Sequence, residues 1–174
     1  MFTNYVSNPT PAFVAPTHQK MRSDFIHKLY VSAASRKVWL WEGFYAIQPI
    51  DPVTHSPIHR QRRFNLHRSR AIQAITIGII YHLDVASGIA QISVEALSRQ
   101  CGVSSQWGAI SRASRAIITL EQYGVLKCEK DRGRTAGRAQ KRIEITPYFI
   151  AMCGIEPEEF SLAQNAATAK ADRL

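Results

Sequence analysis

The stretch SVEALSRQCGVSSQWGAISRASRAIITLEQYGVLKCEK, residues 93–130, decides the fold of this chain. Ser93 precedes an apolar-periodic run, and Glu95 falls in its first turn, where a carboxylate complements the helix dipole; the pattern predicts a helix over Val94–Gln100. Cys101-Gly102-Val103 reads as a turn, with Gly102 supplying the permissive backbone. A second, longer helix follows from about Ile110 to Tyr123, because Ile110, Ala113, Ile117, Leu120 and Tyr123 form one helical stripe and Gly124 is a natural stop. Val125 to Lys130 then alternates, with Leu126 and Cys128 on one side and Lys127 and Glu129 on the other. Ile143 and Ile145 alternate in the same way with Arg142 and Glu144, so the two segments form a β-hairpin with a long polar tip containing Gly133 and Gly137.

Working upstream, Asn65 is suited to cap a helix running to about His82. Ile72, Ile75 and Ile79 make its stripe, while Ala71, Ala74, Ile77 and Ile80 leave it apolar on most sides, the mark of a central helix. A turn over Asp84 to Gly88 and a short strand at Ile89 to Ile92 lead back to Ser93. The order helix, strand, helix, turn, helix, strand, loop, strand predicts an α+β, mainly α fold: a winged helix-turn-helix over residues 59–154. The flanks extend it. Residues 1–20, with Pro9, Pro11 and Pro16, read as a flexible arm. Residues 21–58 read as an accessory helical and aromatic segment: a short helix from Ser23 to Ser35, then Val38 to Ile50, whose periodicity does not choose between helix and strand. Thr146-Pro147 and Pro157 open two further helices, with 155–174 the start of a C-terminal helical region. No stop signal precedes Leu174, which allows a longer natural protein.

The chain has 174 residues and a formal charge of +9, an excess that points to a polyanionic partner. The most apolar run, Ala71 to Leu83, is far shorter than the ~20 residues a membrane span needs. No signal peptide is legible at the start. Cys101, Cys128 and Cys153 sit at apolar-patterned positions and read as buried thiols in a reducing bacterial cytoplasm. Walker A and G-x-G-x-x-G patterns, zinc-ligand spacings and clustered acids for a two-metal nuclease are missing, so neither an enzyme nor a cofactor or metal is expected. Trp39 and Trp41 read as core or interface residues rather than a base-stacking platform.

Double-stranded DNA is the expected partner. If Ile110, Ala113, Ile117 and Leu120 face the core, then Ser111, Arg112, Ser114, Arg115 and Thr119 face outward on the second helix of the pair, the one that enters the major groove. Short hydroxyls permit close approach, and arginine forks reach guanine edges or phosphates. The hairpin tip carries Arg132, Arg134, Arg138 and Lys141, a basic wing suited to backbone or minor-groove contact. Arg62, Arg63 and Arg68 belong to an arginine run from Arg60 to Arg70 that suits phosphate. Solvated charge is the competing reading for each group.

Several stretches resemble the RepA replication initiators of IncFII-type plasmids: Asn8-Pro9-Thr10-Pro11-Ala12-Phe13, Arg68-Ser69-Arg70-Ala71-Ile72-Gln73-Ala74, Tyr81-His82-Leu83-Asp84, Cys101-Gly102-Val103, and Ile110-Ser111-Arg112-Ala113-Ser114-Arg115-Ala116 continuing through Tyr123-Gly124-Val125-Leu126. The resemblance implies a nucleoid- or plasmid-associated protein that binds its plasmid's origin, helps open it and recruits the host helicase and host initiator, with possible self-association on DNA. It carries Ser111, Arg112, Ser114 and Arg115 over as DNA-reading positions. Those relatives have a longer connection between Val103 and Ile110 and continue past Leu174 into a basic region. A winged-helix transcriptional regulator is the alternative, because the same helix and wing serve it equally well.

Overall fold

The computed structural model describes residues 8–16, 23–60, 63–105, 109–129 and 140–174. Around the deciding stretch the architecture is α+β and mainly helical, as expected. The helices are α1 (Asp24–Ala34), α2 (Gly43–Ala46), α3 (Leu66–His82), α4 (Val94–Gln100), α5 (Ser111–Gln122), α6 (Pro147–Met152) and α7 (Pro157–Asp172). The strands are β1 (Leu83–Asp84), β2 (Ile89–Ser93), β3 (Leu126–Cys128) and β4 (Gln140–Ile145), paired antiparallel in the order β1-β2-β4-β3.

Helix α3 is the axis of the molecule. Asn65 accepts a hydrogen bond from the Arg68 backbone N–H and so caps its start. Ile72, Ile75, Ile79 and Ile80 have no exposed surface, and α1, α4 and α5 all pack against this helix. Gly78 is the point of closest approach. A Cβ there would lie 2.6 Å from Leu97 Cδ1 and 2.8 Å from Cys101 Sγ, so the side chains of α4 and its following turn fill the space a larger residue would need. Gln73, a polar interruption in an apolar helix, closes the end of α1: its Nε2 donates to the Ala33 carbonyl (3.0 Å) and its Oε1 accepts from the Val38 N–H (2.9 Å).

The sheet register sets which residues turn inward. Ala90 faces Ile143, and Ile143 and Ile145 face Cys128 and Leu126 across the next pair. Gln91, Lys127, Arg142 and Glu144 take the exposed side. Gly102 (φ +66°) and Gly124 (φ +70°) end α4 and α5 in the left-handed conformation that favours glycine. Thr146 stands at the start of α6 but does not cap it. Its hydroxyl lies within hydrogen-bond distance of the Gly124 (2.6 Å) and Val125 (3.0 Å) carbonyls, which fastens α6 to the end of α5.

The undecided segment Val38 to Ile50 is neither a long helix nor a strand. It forms a 3-10 turn over Val38–Leu40 and the single-turn α2, too short for any periodicity to register. Trp41 packs edge-on to Phe44 and covers Gly43. Of residues 1–20, expected as a flexible arm, residues 8–16 are described. Residues 8–16 are seated on α3, α4 and α5: Asn8 Nδ2 donates to the Gly102 carbonyl (2.9 Å), Val14 N–H to Gln100 (2.8 Å), and Phe13 packs on Tyr81 at 5.1 Å. No helix among the described residues is long and apolar enough to cross a membrane.

Candidate nucleic-acid interface

Helix α5 presents three different sides. Ala113, Ala116, Ile117 and Leu120 are buried against the rest of the fold. Ser111 and Arg115 are exposed, and Ser114 is half-buried beside them. Among the described residues no side chain caps the helix start and no acid lies in its first turn, so its leading N–H groups favour negative charge.

Two of the expected outward residues are placed differently. Thr119 is buried, and its hydroxyl donates to the Arg115 carbonyl one turn back (2.8 Å). Ile118 takes the exposed position instead. Arg112 is half-buried, and two of its guanidinium nitrogens are held by the protein: Nη1 donates to the Asn8 carbonyl (2.6 Å) and Nη2 to the His67 carbonyl (3.1 Å), while Nε is buried without a hydrogen-bond partner among the described residues. Arg70 reinforces it by donating to Pro9 (2.7 Å). Arg112 is therefore a clasp for the amino-terminal strap, not a free fork. Burial, and next the Arg70 charge, lowers its pKa from the ordinary arginine value.

Arg68 lies on the open side. It, Arg112 and Arg115 line one cleft of about 320 Å³ between the starts of α3 and α5, together with Asn65, His67, Ser105 and Ser111. Burial lowers the Arg68 pKa, and the positive fields of Arg60 and Arg115 act in the same direction. Like charges held this close on a half-buried face cost energy that an anion would offset. Arg63 is exposed, with its guanidinium 5.0 Å from the Tyr45 ring centroid. Lys141 occupies an inward register position opposite Ile92 and is half-buried. Arg62, Arg132, Arg134 and Arg138 lie outside the described residues.

Sequence reasoning missed a second cleft, on the other side of the α3 start. Its walls are aromatic and its volume is about 430 Å³. The signal was present as Trp39, Phe44 and Tyr45 followed by Arg60, Arg63 and Phe64, but those residues are separated by a proline-rich loop. Burial pushes the Tyr123 phenol at its back above the ordinary tyrosine pKa, opposed by the Arg60 charge. Among the described residues no group of His, Cys, Asp and Glu could hold a metal ion.

Comparison with known proteins gives this geometry a family. The description "IncFII RepA protein family" fits residues 1–171. The chain is 38% identical, over 168 residues, to a "Probable replication-associated protein repA1" of Buchnera aphidicola subsp. Schizaphis graminum, covering 93% of this chain and 59% of that protein. It is 37% identical over 157 residues to the protein of the same name from Buchnera aphidicola subsp. Cinara cedri, covering 87% and 56%. A "Replication initiation protein" of Escherichia coli is 32% identical over 71 residues, 38% of this chain and 25% of the relative. The chain thus spans somewhat under two thirds of the length of these relatives. No solved structure matches it. The sequence stretches, the fit over nearly the whole chain and the replication-associated relatives agree: this chain belongs to the IncFII RepA protein family.

Proposed function

We propose that this chain is the DNA-binding part of a plasmid replication initiator, built as a winged helix-turn-helix that reads origin DNA and cuts nothing. Helix α5 is the recognition helix, with Ser111, Ser114 and Arg115 toward the major groove. Arg68 and Arg63 are phosphate contacts. The β3–β4 hairpin is the wing, bringing Lys141, Arg132, Arg134 and Arg138 to the backbone or minor groove. The observation that carries the reading is the cleft in which Arg115 of α5 and Arg68 of α3 share one face with short hydroxyls, behind a sheet in which β2 and β3 both pair with β4. Recruitment of the host helicase and host initiator, and self-association on DNA, belong to the same proposal and rest on family membership.

The test is binding of the chain to a duplex carrying its own plasmid's origin and to a scrambled duplex, across a salt series. Specific sites are typically bound ~10³–10⁷ tighter than random sequence. The reading expects clear origin preference, with affinity falling steeply as salt rises. Preference for a promoter duplex over the origin would favour a transcriptional regulator. No salt-sensitive binding to either duplex would overturn the DNA-binding reading.

A further inference from the structure

The aromatic cleft has features that a protein core does not need. Phe44, Phe64 and Tyr123 form its floor as a mutually edge-on trio, with centroid separations of 5.2, 5.0 and 6.0 Å and interplanar angles of 82–89°. Edge-to-face contacts of this kind are a favoured aromatic geometry. Above the floor, Tyr45 is exposed and Trp39 half-buried, two large rings left at the rim. Arg60 and Arg63 line the cleft, and Lys37 lies beyond it beside Trp39. Arg60 lies 4.8 Å from the Phe64 ring centroid, Arg63 sits over Tyr45, and Lys37 lies 6.0 Å from the Trp39 centroid. The Arg60 Nε is buried and has no hydrogen-bond partner among the described residues. A buried donor left unmade is costly, so it marks an unfilled acceptor position. Among the described residues no carboxylate lines the cleft.

Aromatic faces at the rim call for a flat π-system, and guanidiniums beside them call for an anion attached to it. A duplex cannot supply both, because its bases are stacked and paired. A volume of about 430 Å³ also suits a compact ligand portion such as one base with its phosphate. We infer that the cleft formed by Trp39, Tyr45, Phe64, Arg60 and Arg63 binds an unpaired base of single-stranded nucleic acid, with Arg60 and Arg63 on the adjoining phosphate. The inference deepens the DNA-binding reading and relies on it only for the polyanionic partner. The two clefts flank the start of α3, Leu66 and Ser69 lining one and Asn65 and Arg68 the other, and the Arg60 and Arg68 charges are close enough to perturb each other. A strand leaving a bound duplex at the Arg68 cleft would therefore meet the aromatic site on the other side of the same helix start.

The experiment is titration of a labelled oligothymidylate of ~16 nucleotides, an origin duplex and free thymidine monophosphate against the full chain and two variants. The first variant is Trp39→Ala with Tyr45→Ala, which removes the rim rings. The second is Arg63→Glu, an exposed position whose change leaves the aromatic floor intact. The inference expects the oligothymidylate affinity to fall roughly 5- to 100-fold in the ring variant and also to fall in Arg63→Glu, with duplex affinity of the ring variant within about twofold of the parent. Unchanged oligothymidylate binding in both variants would overturn it. So would oligothymidylate binding absent from the parent while duplex binding persists, a result that leaves the DNA-binding reading standing. Thymidine monophosphate bound as tightly as the oligomer would overturn it in favour of a nucleotide site. Ring-dependent oligothymidylate binding with no duplex binding would support this inference while sinking the recognition-helix reading.

Discussion

Arg112 and Arg115 stand one turn apart on α5 and line the same cleft, yet they meet the rest of the molecule differently. On the Arg112 side the helix is closed by the amino-terminal strap, and the guanidinium is held by the Asn8 and His67 carbonyls. On the Arg115 side the helix is open, and an exposed arginine looks across a cleft at Arg68. The same residue type on the same short stretch thus belongs to packing in one case and to a surface in the other. What separates them is a chain segment more than a hundred positions away, because Asn8 reaches Arg112 across 104 residues of sequence.

The largest expected effect lies on the third side of α5. Leu120→Ala removes a fully buried side chain where α5 meets the core, and is expected to cost about 2–5 kcal/mol in urea unfolding. Arg112→Ala comes next. It strips charge-assisted hydrogen bonds from two carbonyls, and a loss of about 1.5–3 kcal/mol is expected, with faster amide exchange at Val14, whose N–H bonds Gln100. Stability unchanged in Arg112→Ala would dissolve the contrast between the two flanks.

Smaller effects sharpen the contrast. Burial raises the Cys101 thiol pKa from 9.0 to about 12, so the neutral thiol is the form the fold favours. A group whose folded pKa is raised contributes stability that is complete below its unfolded pKa and is lost as pH rises through the folded value. Unfolding midpoints should therefore show no Cys101 contribution to pH dependence below about pH 8, and a decline above about pH 9. A Cys101→Ala variant should lack that part of the decline. Thr119→Val is expected to stay within about 1 kcal/mol, since it exchanges one back-bonded hydroxyl for a methyl in an apolar setting. It should leave duplex affinity unchanged, whereas a large loss of affinity would return Thr119 to the DNA face. Arg115→Ala is expected to leave stability within about 0.5 kcal/mol of the parent, as at other open surface positions.

The parts of the fold legible in sequence were those governed by local chemistry. Ser23, Asn65 and Ser93 each cap the helix that follows, through a side chain accepting from the third residue on. Gly102, Gly124 and Gly154 each adopt positive φ just after a helix. The buried stripe of α5 and the alternation of β4 follow the same logic, since 3.6- and 2-residue periods are visible without knowing what lies opposite. The two-residue β1 and the single-turn α2 are too short to carry a period. Thr119 was misplaced because threonine counts as polar, while its hydroxyl is satisfied within its own helix. Arg112, Thr146 and the strap turn on contacts between distant segments. The aromatic cleft is hidden for the same reason: its rings and arginines come together only when the proline loop after Ile50 folds back, pairing Ile50 with Pro57 and bonding Ile50 N–H to the Gln122 carbonyl.

The most direct test of the central claim is the affinity of Arg115→Ala for the origin duplex, measured beside its unfolding midpoint. An arginine fork on a base edge is typically worth ~1–3 kcal/mol. The account predicts an affinity roughly tenfold or more below the parent, with relaxed preference over the scrambled duplex and an unaltered midpoint. Parent-like affinity and preference in a folded Arg115→Ala would contradict it, and would mean that the open side of α5 is not the face that reads DNA.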